Sequence, residues 1–229
     1  MAEHFAHPGA LASPVEETLR LYQAENYTTG TREKQPEPDA SVSARFARLK
    51  DEYALHGMRH SVAAAIVIAK HGHPHLLCLR IAGSFYKLPG DELLPHEYAD
   101  PVAALKNRLD LQLAPPGTSF DWEVKSRVAT WWRPNFEHSV YPYIPAHITR
   151  PKEKQLIYLI QAPPSFQFFI PANYTMQLIP FWELHNSKSF GPIISAIPQS
   201  LSRMELEYCV SGDQQPQQHH HQQQQQHQQ

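Results

Sequence analysis

The 229-residue sequence holds two cysteines, Cys78 and Cys209, too few for a disulfide framework or a Cys-rich zinc site. Glycine is scarce beside proline, 9 against 21, which predicts extended or kinked connections and few long helices. Charged residues are only 18% and the formal charge is −2, so the chain is no generally basic polyanion glove. A nucleic-acid site would have to be local, made of a few cations and flat rings. No apolar run is long enough to span a bilayer; the longest, Val62 to Ala69, has the length of a strand. The first residues lack the basic-then-apolar pattern of a secretory signal, and the expectation is an intracellular, reducing compartment.

What is present suffices for a core: 41% of residues are hydrophobic. Three regions are expected. Residues 1–38 are polar and Pro-rich, a partly ordered N-terminal arm. Ser13-Pro14-Val15-Glu16 has the chemistry of a helix start, and Leu19, Leu21, Tyr22 and Tyr27 suggest docking on the body. Residues 39–210 form the folded domain. Residues 211–229, almost only Gln and His, are a tail without apolar surface to offset the entropy of ordering.

Within the domain, residues 39–57 read as a surface helix. Asp39 is its expected cap, Val42, Phe46, Leu49 and Tyr53 its apolar stripe, and Gly57 its end. Arg45 points away from that stripe. Val62–Ile68 and Leu76–Leu79 read as a buried β-hairpin turning at His71–His75. After a loop from Ala82 to His96 comes a helix capped by Asp100, started by Pro101 and stopped by Pro115-Pro116-Gly117. Strands are predicted at 122–132, 155–161, 167–170 and 176–179. The connection 134–154 carries four of the 21 prolines. Ile193, Ile194, Ile197, Leu201 and Met204 mark a last amphipathic helix, interrupted or restarted at Pro198. Strands and helices in this order give an α/β fold with a mixed sheet.

The segment Gly83-Ser84-Phe85-Tyr86-Lys87-Leu88-Pro89-Gly90-Asp91-Glu92 and the helix after it resemble the strand–loop–helix unit of the Nudix superfamily. That resemblance implies an α/β/α sandwich with a mixed sheet, an N-terminal arm and a C-terminal helix. Active members use helical glutamates to hold a divalent cation. Here the helix has none: Leu105, Lys106, Asn107, Arg108, Leu111 and Gln112 stand where the pairs should fall, and Asp110 is its one acidic interior residue. Hydrolysis fails on ligand count. Glu92 and Glu97 read as solvated loop or helix N-terminal charges.

A narrower resemblance rests on Ser41-Val42-Ser43-Ala44-Arg45-Phe46, Phe85–Gly90, Trp131-Trp132-Arg133-Pro134-Asn135-Phe136-Glu137, Tyr141-Pro142-Tyr143-Ile144-Pro145-Ala146-His147-Ile148-Thr149 and Pro198–Arg203. From about residue 20 to 208 the chain is similar to the small Nudix-like subunit of mRNA cleavage factor Im. The resemblance implies a non-catalytic homodimer without cofactor or metal. Its ligand would be single-stranded UGUA in pre-mRNA, in the nucleus, alongside a larger RRM-containing subunit or other polyadenylation factors. It also implies RNA contacts from Glu37 (base-edge acceptor), Arg45 (planar cation), Phe85 (stacking ring) and the backbone around Tyr86 and Leu88. Tyr141 and Tyr143 would face a partner. Two departures matter. Ala63 stands where relatives carry an RNA-reading Glu, and Asp91 replaces a loop glycine.

Each feature also has a plainer reading. Phe85 and Tyr86 could be core aromatics at a strand end, with alternation burying at most one on a given side. Arg45 could be a solvated helix residue. At least one of Trp131 and Trp132 should be core. His71, His73 and His75 read better as a turn than as metal ligands, since Gly72 and Pro74 break the geometry. A Nudix hydrolase of dinucleoside polyphosphates, and a protein-interaction scaffold without RNA binding, are the competing functions.

Overall fold

The computed structural model describes residues 17–36, 39–81, 83, 85–137 and 139–209; Ser13–Glu16, Glu37 and the Gln/His tail lie outside them. The frame is the hairpin of β3 (Arg59–Lys70) and β4 (His73–Ile81). It turns through His71 and Gly72, whose φ values of 52° and 76° match the mirror-image turn that suits strand twist. The turn is thus two residues long, shorter than the sequence suggested.

Residues of β3 alternate between two cores. Val62, Ala64, Ile66 and Ile68 face one; Ala63, Ala65, Val67 and Ala69 face the other. A strand buried on both sides belongs in the middle of a sandwich. It pairs antiparallel with β4 and parallel with β8 (Glu153–Gln161), which pairs antiparallel with β7 (Glu123–Arg133). On the far side of β4 lies β10 (Tyr174–Pro180), giving the order β10-β4-β3-β8-β7.

The first face is covered by α2 (Pro101–Leu113), through Ala104, Leu105, Leu109 and Leu113, with Trp122 and Phe168. The Asp100 side chain accepts from the Ala103 amide at 3.0 Å and Pro101 opens the helix, as its sequence predicts. The second face is covered by α3 (Ser187–Ser195) and α4 (Ile197–Ser200), through Ile194 and Ile197, with Leu201 just beyond α4. The break in this segment falls at Gly191 (φ 79°), while Pro198 sits harmlessly in the first turn of α4. The result is a three-layer α/β/α fold.

The arm contributes strands of its own. β1 (Thr18–Leu21) runs parallel to β11 (Glu205–Tyr208), and β2 (Tyr27–Arg32) parallel to β9 (Phe166–Pro171). Leu19 and Leu21 are fully buried. Side-chain amides clamp this segment: Gln161 accepts from Arg20 N and donates to Arg20 O, and Asn173 does the same for Gln35.

The first helix, α1 (Val42–His56), is capped by Ser41 and not by Asp39. Asp39 instead takes a two-pronged ion pair from Arg48 at 2.7–2.8 Å, which ties the chain before α1 to its second turn. Gly57 (φ 77°) ends it as predicted. Its apolar stripe is only partly used: Leu49 is buried, whereas Val42 is 62% exposed. No helix among the described residues is long and apolar enough to cross a membrane.

Candidate nucleic-acid interface

The segment read as a loop from Ala82 to His96 contains two short strands. β5 (Phe85–Lys87) pairs with β4, and β6 (Gly90–Glu92) pairs with β3, so together they wedge between the two hairpin strands where these diverge. Gly90 makes the wedge possible. Its φ is +137°, and a Cβ there would lie 2.2 Å from Val62 O and 2.6 Å from Ala63 Cα. Ala64 N donates to Pro89 O at 2.7 Å, fixing the approach.

Strand geometry divides the expected RNA residues between two faces. Phe85 is 62% exposed and opposite Ile81, which is opposite Tyr174. Residues opposite one another in antiparallel strands share a face. Phe85, Ile81 and Tyr174 therefore form a row on the α2 side of the sheet. Lys87 lies on that face too, its ammonium 5.4 Å from the Tyr174 ring. Burial lowers the Lys87 pKa, Asp91 opposes the drop, and the charge of Arg45 adds to it. Arg45 is exposed in the first turn of α1.

Tyr86 points the other way. It is half-buried against Phe190 (centroids 5.0 Å apart), with the Arg80 guanidinium 5.7 Å from its ring. The Leu88 side chain is buried in the second core, so only its backbone could meet a ligand. Ala63 is buried on this same face, opposite Gly90. Position 63 therefore lies on the Tyr86 side of the sheet and not on the Phe85 side. Glu37 is outside the described residues. Lys87, Arg80 and Tyr174 were not singled out in the sequence. Alternation from Phe85 could have flagged Lys87; Tyr174 needed the β4–β10 register.

The superfamily's divalent cation can be tested against α2. Asp110 accepts from Ser119 Oγ, Phe120 N and Trp122 Nε1 at 2.8–3.1 Å, anchoring the chain after the helix. Arg108 pairs with Glu97 at 2.6 Å, and Glu97 also accepts from Leu94 N. Glu92 is half-buried beside Arg59 at 3.5 Å, not a solvated loop charge. Burial raises the Glu92 pKa. Gln112, buried on the inner side of α2, makes two hydrogen bonds to the Gly90 backbone: Gly90 N donates to its Oε1 at 2.9 Å, and its Nε2 donates to Gly90 O at 3.2 Å. The residues present do not fit the ion. Among the described residues no group of three or more His, Cys, Asp or Glu side chains gathers as a metal site requires. His73 and His75 instead pack edge-on against Trp182.

Tyr141 and Tyr143 sit by the opposite sheet edge. Tyr141 is bound to Trp132 of β7 by two backbone hydrogen bonds of 2.7 and 2.9 Å, and Tyr143 is 58% exposed with its ring 5.7 Å from that of Tyr141. Trp131 is core.

The three-layer architecture and the Gly90 loop define a Nudix-type fold. The family model NUDIX_2, described as nucleotide hydrolase, matches residues 17–204. A curated relative, the pre-mRNA cleavage factor Im 25 kDa subunit 2 of Arabidopsis thaliana, is 42% identical over 190 residues, covering 82% of this chain and 94% of its own. The cleavage and polyadenylation specificity factor subunit 5 of Dictyostelium discoideum is 38% identical over 195 residues, covering 83% and 96%. Among solved structures, the NUDIX domain of Shewanella oneidensis NrtR in complex with ADP ribose is 14% identical, covers 71% of this chain and 99% of its own, and has a TM-score of 0.44. The chain belongs to the family of the 25 kDa subunit of pre-mRNA cleavage factor Im, within the Nudix superfamily.

Proposed function

We propose that this chain is a non-catalytic, RNA-binding subunit of the nuclear mRNA 3′-end cleavage and polyadenylation machinery. Its ligand is short single-stranded, UGUA-like RNA; it works as a homodimer and offers Tyr141 and Tyr143 to an RRM-containing subunit or another polyadenylation factor. The names of its relatives support the pathway. The observation that carries the RNA reading is Phe85: a ring 62% exposed, held on a strand, with Lys87 on its own face. Sequence-selective RNA sites stack unpaired bases on such rings and meet the backbone with cations. Leu88 contributes through its backbone, and Tyr86 through its half-buried ring edge.

Non-catalysis is supported by α2, where a neutral amide bonded to Gly90 and a fully engaged Asp110 leave no carboxylate pair for a divalent ion. The hydrolase reading draws on the family model's description alone.

The test is binding of a UGUA oligomer by wild type and Phe85→Ala. Loss of one stack should cost about 1–3 kcal/mol. An unchanged affinity would favour the interaction-scaffold reading. Turnover of diadenosine tetraphosphate with Mg²⁺ or Mn²⁺, abolished by Glu92→Ala or Glu97→Ala, would establish an enzyme instead.

A further inference from the structure

Leu49, Glu52, Tyr53 and His56, which share one face of α1, look into a cavity of about 220 Å³. Its floor is made by charged ends of the sheet, Arg59 of β3, Arg133 of β7 and Glu153 of β8, and a further wall by Glu92 to Pro95 with Tyr98. Neither Arg45 and Phe85 nor Tyr141 and Tyr143 border it. With His56 neutral the formal charges balance, three glutamates against Arg59, Arg133 and Lys152. What a ligand meets is therefore set by which groups are already paired.

Arg59 and Arg133 both hold Glu153, each at 2.8 Å. Glu92 is left with Arg59 at 3.5 Å, too long for a good hydrogen bond. Glu52 gives Oε1 to Arg48 at 2.8 Å, while its Oε2 is buried with no hydrogen-bond partner. The Glu52 side chain as a whole is 38% exposed, which leaves room for the carboxylate to turn toward an arriving donor. Lys152 has the opposite lack. Its ammonium lies 3.9 Å from the Tyr53 ring centre, and among the described residues it forms no ion pair. A carboxylate oxygen shut away from water without a donor is unfavourable. Burial raises the Glu92 pKa, Arg59 opposes the rise and Glu52 adds to it, the direction expected of a carboxyl short of donors.

Size narrows the choice of ligand. The cavity falls below the ~300–1,000 Å³ usual for small-molecule sites and suits one long side chain. We propose that it is the anchor pocket for one arginine side chain of a partner protein: the guanidinium meets Glu92 and Glu52, and Lys152 takes a main-chain carbonyl of the same segment. A planar fork with five donors can serve two carboxylates at once and lie against the rings of Tyr53, Phe136 or Tyr98. Lysine offers one point charge and no flat face. Leu94 and Pro95, both exposed, give the partner apolar surface that shields the pair from water. The proposal is independent of the RNA reading.

NMR titration of the full-length, ¹⁵N-labelled chain with acetyl-Gly-Arg-Gly-amide tests this, with lysine and citrulline peptides as controls. The arginine peptide should shift the amides of Gly57, Leu93, Leu94 and Tyr98. Citrulline, neutral and of the same shape, should not, and lysine should bind more weakly. Glu92→Gln keeps the volume and should weaken arginine binding roughly tenfold; Glu52→Gln should weaken it too. Equal binding of arginine and citrulline, no shift at those amides, or unchanged affinity in both variants overturns the proposal. Equal binding of lysine overturns the assignment to arginine. Pyrophosphate shifting the same amides in place of the peptide gives the cavity to an anion on Lys152, and overturns it as well. If Glu92→Gln fails to fold, the citrulline comparison in wild type decides alone.

Discussion

The side chain of Gln112 and the backbone of Gly90 bind one another twice, with the amide serving as both acceptor (2.9 Å) and donor (3.2 Å). Only a neutral group with both functions can do this. The pairing joins α2 to the wedge between β3 and β4, and it occupies with an amide a stretch of helix where active Nudix proteins carry carboxylates.

Gln112→Glu should therefore destabilise the fold, not create an enzyme. An ionised carboxylate cannot donate to Gly90 O, and Gln112 is 3% exposed. The cost should be about 2–4 kcal/mol at neutral pH. Burial raises the folded pKa of such a carboxyl above its unfolded value. Its destabilisation is therefore least below the unfolded pKa, where the protonated acid can donate, and grows as pH rises through the folded pKa. Urea unfolding at pH 4.5 and 7.5 checks the sign, and Mg²⁺ should restore nothing.

Gly90→Ala places a methyl 2.2 Å from Val62 O in a backbone conformation that alanine avoids. A loss of at least ~3 kcal/mol is expected, or displacement of β6 with loss of amide protection at Glu92 and Leu93. Thermal unfolding and hydrogen exchange distinguish the two outcomes.

Glu153 should govern acid stability. Burial pushes its pKa up, but Arg59 and Arg133, each 2.8 Å away, win and bring it down to about 2. Ser61 Oγ donates at 2.8 Å as well. A folded pKa below the unfolded one gives stability that is complete above the unfolded value and is lost as pH falls through the folded one. The span from the ordinary 4.5 to about 2 corresponds to roughly 3 kcal/mol. Glu153→Gln should flatten the stability profile across that window and lower stability at pH 7 by about 2–4 kcal/mol, because two half-buried guanidinium groups lose the carboxylate they share, Arg59 keeping only the longer pair with Glu92. Denaturant midpoints against pH provide the measurement.

Tyr143→Ser should leave the unfolding temperature nearly unchanged, since the ring is 58% exposed. It should weaken co-purification with an RRM-containing cleavage factor subunit. Normal partner capture by this variant would remove Tyr143 from the interface.

Features whose cause is local could be read in the sequence. Asp100-Pro101 starts α2, His71-Gly72 turns the hairpin and Gly57 ends α1, because capping and turn chemistry act within a few residues. The cap of α1 was misplaced by two residues because Asp39 and Ser41 offer the same chemistry; Asp39 was drawn away by Arg48. β5 and β6 read as loop, being three residues each and dependent on partners in β4 and β3. Motifs pick out Phe85 and Arg45 as candidates, whereas the exposure of Phe85 and the seat of Lys87 over Tyr174 emerge only from the pairing of β5 with β4 and of β4 with β10.

Composition, alternation and the missing glutamates by themselves settled that this chain is a mixed α/β protein without a carboxylate-rich helix, for those depend on residue type and short spacing. The tertiary structure decided what meets what. It paired β1 with β11 and β2 with β9, turned Phe85 and Tyr86 to opposite faces, and brought Lys87 over the Tyr174 ring. Such contacts close loops of many residues, and their energy depends on the whole packed core rather than on any window of sequence.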